Sequence, residues 1–108
     1  MATKALVAAS TKPLVLSILT QGENYGYRII KEVERLSDGE LAWTDAMLYP
    51  VLKRMEKDDL IESHWVKTDS GRRRKYYRIT PAGTEALARE REQWLRVNQI
   101  FARLWAVE

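Results

Sequence analysis

The stretch from Leu60 to Ile79 constrains the fold of this chain more than any other segment. Leu60 to Val66 is rich in strand-favouring residues, Thr68-Asp69-Ser70-Gly71 is turn material, and Arg72 to Ile79 resumes with Tyr76, Tyr77 and Ile79. The segment predicts a β-hairpin. Its second strand alternates, so Arg73, Lys75, Tyr77 and Ile79 share one face while Arg72, Arg74, Tyr76 and Arg78 share the other. Cations stand on both faces near the tip, where a core has no use for them. From Lys67 to Arg78 six cations oppose Asp69 alone, a local charge of +5 in a chain whose total is +3. Such a run is either a solvated face or an anion-binding surface, and its setting on a hairpin tip favours the second. Trp65 is expected in the core beneath the hairpin, and His64, on the other strand face, has no ligand partners and no assigned role.

Helical patterns surround the hairpin. Lys12 to Thr20 reads as a helix capped by Thr11, with Pro13 in its first turn. Asn24 is expected to cap a second helix from Tyr25 to about Ser37, whose apolar stripe is Ile29, Ile30, Val33 and Leu36, and Asp38-Gly39 ends it. Thr44 is expected to cap a third, reaching about Asp58, with Leu48, Val51, Leu52 and Met55 inside and Ala46, Tyr49, Pro50, Lys53 and Lys57 on the remaining face. Pro50 is an obstacle to that helix, since an interior proline costs about 3 kcal/mol and would also suit two short helices. Thr80-Pro81 opens a long final helix to about Val107. Helix, helix, helix, hairpin, helix is the order of a winged helix-turn-helix, mainly α with one β-hairpin, the hairpin forming the wing.

Composition narrows the function. The 108 residues fit one domain of about 13 Å radius of gyration. There is no cysteine and only one histidine, which removes disulfides, thiolate chemistry and paired-histidine metal sites. No Ser-His-Asp set, paired-carboxylate motif or glycine-rich phosphate loop is present, so neither catalytic residues nor a cofactor are expected. The longest apolar run, Leu14 to Leu19, is interrupted by Ser17 and is far too short to span a bilayer, and the first residues lack a signal-peptide pattern. A cytoplasmic protein with no membrane partner is the expectation.

Three ordered motifs carry a family resemblance. Tyr25-Gly26-Tyr27, Leu48-Tyr49-Pro50 followed by Leu52-Lys53-Arg54-Met55-Glu56, and Gly71 to Gly83 with Arg72-Arg73-Arg74-Lys75-Tyr76-Tyr77 resemble the PadR family of bacterial transcriptional regulators across nearly the whole chain. The resemblance implies that Pro50 bends the recognition helix without ending it, and that the chain is similar to the small subfamily that dimerises through one helix after the wing. Ala46-Met47 stands where the family usually has Gly-Thr or Gly-Ser, and Asp59 where it favours glycine, a position aspartate tolerates.

On this reading residues 1–80 form the DNA-binding region and 81–108 a dimerisation helix, together one structural unit. Arg72, Arg73, Arg74 and Lys75 are expected at phosphate or minor groove, and Thr44, Tyr49, Lys53 and Lys57 at the major groove. Tyr25 either meets a phosphate or packs. In the final helix Trp94, Val97, Phe101 and Leu104 recur at three and four, widened by Leu95, Ile100 and Trp105, which is more apolar surface than one small body can cover and predicts a homodimer. The expected function is a DNA-binding regulator, a repressor, on a palindromic operator of double-stranded DNA. A winged-helix module for protein or RNA is the alternative. The stretch Trp94-Leu95-Arg96-Val97 resembles the subfamily segment whose tryptophan lines a central cavity for planar aromatic drugs, implying a small planar aromatic effector at Trp94, with Ser17 and Asn98 as polar edges.

Overall fold

The computed structural model describes residues 3–106. Its elements are α1 (Lys4–Leu19), β1 (Asn24–Tyr25), α2 (Gly26–Leu36), α3 (Asp45–Lys57), β2 (Ile61–Lys67), β3 (Arg73–Ile79) and α4 (Pro81–Leu104). The three strands form an antiparallel sheet in the order β1-β3-β2, a winged helix-turn-helix with a long helix appended. Val15, Leu16 and Leu19 of α1, Ile29 and Val33 of α2, and Leu48, Leu52 and Met55 of α3 bury together with Trp43, Ile61 and Tyr77.

Helix α1 starts well before the expected Lys12. Thr3 caps it, accepting from the Leu6 amide at 3.3 Å, and the alanines at 5, 8 and 9 sustain the added turns. Thr11 is therefore no cap. It is buried within the helix and returns its hydroxyl to the Val7 carbonyl at 2.5 Å. Pro13 lies in the interior, tolerated because the flanking turns are held by the core residues around it.

Asn24 does not cap α2 either. Its Oδ1 accepts from the Tyr25 amide, and the two residues pair as β1 with Tyr77 and Tyr76. The helix starts at Gly26 with Tyr25 in the cap position and no side-chain cap. Leu36, expected in the apolar stripe, is exposed as the last residue of the helix. The chain turns there through left-handed Asp38 and Gly39.

Helix α3 follows the sequence expectation. Thr44 Oγ1 accepts from the Met47 amide at 3.2 Å, and the helix runs through Pro50 without a break. Asp59, where glycine is usual, takes φ 61° in the turn that follows. Met47 packs against the core, so the Ala46-Met47 step serves packing at its second position.

The hairpin joins α4 through a tight knot. Thr80 donates its hydroxyl to the Asp59 carbonyl at 2.6 Å, accepts from the Gly83 amide at 3.0 Å, and sends its own amide to the Leu60 carbonyl at 3.1 Å. Gly83 is buried beneath this turn, and a Cβ there would overlap the Leu60 carbonyl oxygen. Beyond Glu90, bridged to Lys12 of α1 at 3.6 Å, every described residue of α4 is exposed. The helix projects, which lengthens the molecule to 58 Å and raises its radius of gyration to 15.6 Å, above the value for a spherical chain of this length. Val107, expected near the helix end, lies outside the described residues.

Candidate nucleic-acid interface

Residues from five elements converge on one open groove of about 720 Å³. Tyr25, Gly26 and Tyr27 come from β1 and the start of α2, Tyr49 from α3, and Trp65, Arg72, Arg73, Arg74, Lys75 and Tyr77 from the hairpin and the turn before β3. The Tyr49 phenol lies over Gly26: a Cβ there would fall 2.5 Å from Tyr49 Oη, so a larger residue would push the phenol aside. Burial pushes the Tyr49 phenol above its ordinary pKa, with the Asp45 carboxylate adding to the shift. Tyr77, buried below it, is pushed up to about 12 by burial, then by Tyr49 and Glu56. Both phenols are neutral at physiological pH and act as hydrogen-bond donors or packing surfaces.

The cations are ordered by aromatic partners. The Arg74 guanidinium lies 4.5 Å from the Tyr25 ring centroid and donates to Tyr25 Oη at 3.2 Å. Tyr25 also meets Tyr76 edge to face, with centroids 5.2 Å apart, across the β1–β3 ladder. Arg73 stands 5.2 Å over Trp65. Lys75 approaches the Glu56 carboxylate at 3.7 Å, so part of its charge is answered within the protein. Arg78 is answered more fully, by Glu62 directly opposite it at 2.6 Å. The uncompensated cations are concentrated towards the hairpin tip.

Of the residues expected at DNA, Tyr25, Tyr49 and Arg72 to Lys75 share this groove. Lys53 and Lys57 are exposed on α3 outside it. Thr44 spends its hydroxyl oxygen on the helix cap and borders a separate apolar groove with Lys4, Val7, Met47 and Val51. His64 stacks on Tyr76 with centroids 6.2 Å apart and lies 3.4 Å from Glu23. No cluster among the described residues is suited to a metal ion.

Two wall residues escape a reading of the sequence. Tyr27 is exposed on α2 and borders the groove. Trp65 is 57% exposed, contrary to the expectation of a core tryptophan. The signal is present in the ladder: Lys67 pairs with Arg73 and Trp65 with Lys75, which puts the indole among the tip cations, too far from the helices to be covered.

On α4, Trp94, Val97, Phe101, Leu104 and Trp105 are all exposed, Leu104 at 73%. Phe101 and Trp105 stack nearly parallel, with centroids 4.5 Å apart. Trp94 borders an apolar groove of about 330 Å³ between α1 and α4, with Pro13, Leu14, Ser17, Leu41 and Leu87. Ser17 reaches it with its hydroxyl donated to the Pro13 carbonyl at 2.7 Å. Asn98 borders a different hollow, with Trp94, Leu95, Val97 and Phe101, so within one chain the expected trio is divided across Trp94. No helix among the described residues is long and apolar enough to cross a membrane.

Comparison with known proteins agrees with this architecture. A sequence profile of the transcriptional regulator PadR-like family matches residues 15–89. An uncharacterised protein of Lysinibacillus sphaericus is 32% identical over 88 residues, covering 82% of this chain and 81% of that one. A transcriptional regulator from Clostridium thermocellum superposes with a TM-score of 0.85 at 27% identity, over 94% of this chain and 99% of its own. A PadR-like transcriptional regulator from Bacillus cereus gives 0.84 at 28% identity, over 97% and 100%.

Proposed function

This chain belongs to the PadR-like family, whose members are transcriptional regulators and not enzymes, and from that membership we propose that it is a homodimeric repressor binding a palindromic operator in double-stranded DNA. The observation that carries the proposal is the groove shared by α2, α3 and the wing, where Arg72, Arg73 and Arg74 stand beside Tyr25 and Tyr49. Guanidinium groups ordered on aromatic faces suit phosphates, which supply affinity, while the exposed face of α3 with Lys53 and Lys57 enters the major groove and supplies sequence choice. Residues 1–80 perform this reading and 81–108 pair the subunits. The burial of Gly83 and the packing of Leu87 against the core support treating the two as one unit.

The exposed apolar row of α4 supports the dimer. A soluble monomer rarely leaves Trp94, Val97, Phe101, Leu104 and Trp105 open along one helix, and a two-fold pairing of α4 covers them in both copies. Such a pairing brings two Trp94 indoles together beside the α1–α4 groove, where a planar aromatic effector gains stacking and apolar burial and releases the operator. Asn98 then faces the effector from the partner side of the cavity.

The deciding experiment is selection of bound duplexes from a random pool, followed by competition between the recovered duplex and single-stranded RNA. Recovery of an inverted repeat that outcompetes RNA is expected. RNA binding the better would favour an RNA-binding module, and an enriched sequence without two-fold symmetry would refute the palindrome.

A further inference from the structure

The proposed DNA interface rests on cations, and it gives the Trp65 indole no contact of its own with the nucleic acid. Trp65 lies on the same face of the hairpin as Ser63, Lys75 and Tyr77 and borders the groove with Tyr25, Tyr27 and Tyr49. More than half of it is exposed, although an uncovered indole is unfavourable in water. The Arg73 guanidinium lies 5.2 Å over its ring, a modest cation–π contact at this exposed site. Arg74, on the opposite face of β3, is paired in the same way with the Tyr25 ring.

A nucleic-acid strand presents the complementary alternation, an anionic phosphate followed by the largely apolar edge of a sugar. We propose that Trp65 is a DNA-contact residue whose indole packs on a deoxyribose of the duplex backbone while Arg73, stacked on it, meets the adjacent phosphate. The proposal rests on the DNA-binding reading above and deepens it. An apolar contact to sugar releases no counterion, so its share of the affinity does not depend on salt, unlike that of each neutralised phosphate. It touches no base edge, and it is therefore the same for every sequence.

The test uses the whole protein and a duplex of random sequence at several salt concentrations. Trp65→Ala is expected to weaken binding about fivefold to tenfold at every salt concentration, the loss of partial burial of one aromatic side chain, with the slope of log affinity against log salt unchanged. Trp65→Phe should recover most of the loss, and as the milder change it keeps the test sound if the alanine variant is poorly folded by thermal melting. Arg73→Ala should instead reduce the slope by about 0.9 for each phosphate it no longer neutralises. Wild-type affinity in Trp65→Ala overturns the proposal. So does a slope that falls as it does in Arg73→Ala, which would make the indole only a support for the guanidinium, and so does a loss confined to single-stranded DNA. A wild type that binds no duplex overturns the DNA-binding reading as well, whereas duplex binding indifferent to Trp65→Ala overturns this inference alone.

Discussion

Ser63 of β2 donates its hydroxyl to the Glu56 carboxylate of α3 at 2.5 Å, and the other oxygen of that carboxylate faces Lys75 of β3 at 3.7 Å. One acidic side chain in the last turn of α3 thereby contacts both strands of the hairpin. It links the two parts that the proposed function sends into adjacent grooves of the duplex.

Removing that carboxylate takes a negative charge from the surface proposed to face DNA, which by charge alone should strengthen binding. Glu56→Ala is expected to bind random duplex as well as the wild type or better, yet to lose about 1 to 3 kcal/mol of preference for the operator, the cost of one misplaced base pairing with the protein. Parallel titrations of the two duplexes measure the difference. An unchanged preference would show that wing and helix are aligned by other means.

Arg73 and Arg74 changed together to alanine should flatten the salt dependence of binding, by about 0.9 in slope for each phosphate left without its cation. The ranking of operator variants should stay as it is in the wild type, because phosphate contacts carry no sequence information directly.

Lys53→Ala should do the reverse. Its ammonium is exposed on α3, and without a hydrogen bond to a base edge discrimination at one position shifts by about 1 to 3 kcal/mol. A panel of single-base operator variants is the measurement, and a uniform loss across the panel would make Lys53 a phosphate ligand.

Phe101→Asp with Leu104→Asp sets carboxylates in the exposed row of α4. Sedimentation should then find monomers with much reduced operator affinity, while the melting of the core is nearly unchanged because neither side chain contributes to it. A wild type that sediments as a monomer at micromolar concentration would contradict the proposed assembly.

Alkaline stability should report on Tyr77. Its pKa of about 12 in the fold exceeds the value near 10 of an unfolded chain. The fold favours the neutral phenol, so the stabilisation is complete below about pH 10 and is lost as pH rises towards the folded value. Urea unfolding at about pH 8 and about pH 11.5 should show a loss of up to about 2 kcal/mol that Tyr77→Phe largely removes. An equal loss in Tyr77→Phe would assign the alkaline transition to other groups.

Local signals predict the elements that local chemistry determines. Thr44 and Thr80 each precede an apolar periodic run and each caps as expected, and the turn residues at 68–71 join the two strands of a hairpin, with Arg72, expected in the second strand, falling in the loop before Arg73. The errors occur where distant contacts decide. Asn24 and Tyr25 become a strand because β3 pairs with them, and nothing within two residues can announce a partner about fifty positions away. Pro13 reads as a first-turn proline because Thr11 is a competent cap, whereas the Thr3 cap and the alanines at 5, 8 and 9 carry the helix further back. For the site, charge reveals the cations of the wing, whereas the exposure of Trp65 is legible only once the ladder that sets it beside Lys75 is known.

The packing at Gly83 leaves no space for a methyl group between α4 and the carbonyl of Leu60. Helix and hairpin are consequently tightly joined at that point, and in the proposed dimer α4 is an arm whose near end carries the wing. A helix of 24 residues is about 36 Å long, so tilting it by about 5° around its far end displaces its origin by about 3 Å, close to the rise of one base pair. In the proposed dimer a guest that alters the angle between two such arms would shift the wings out of step with the duplex without unfolding anything.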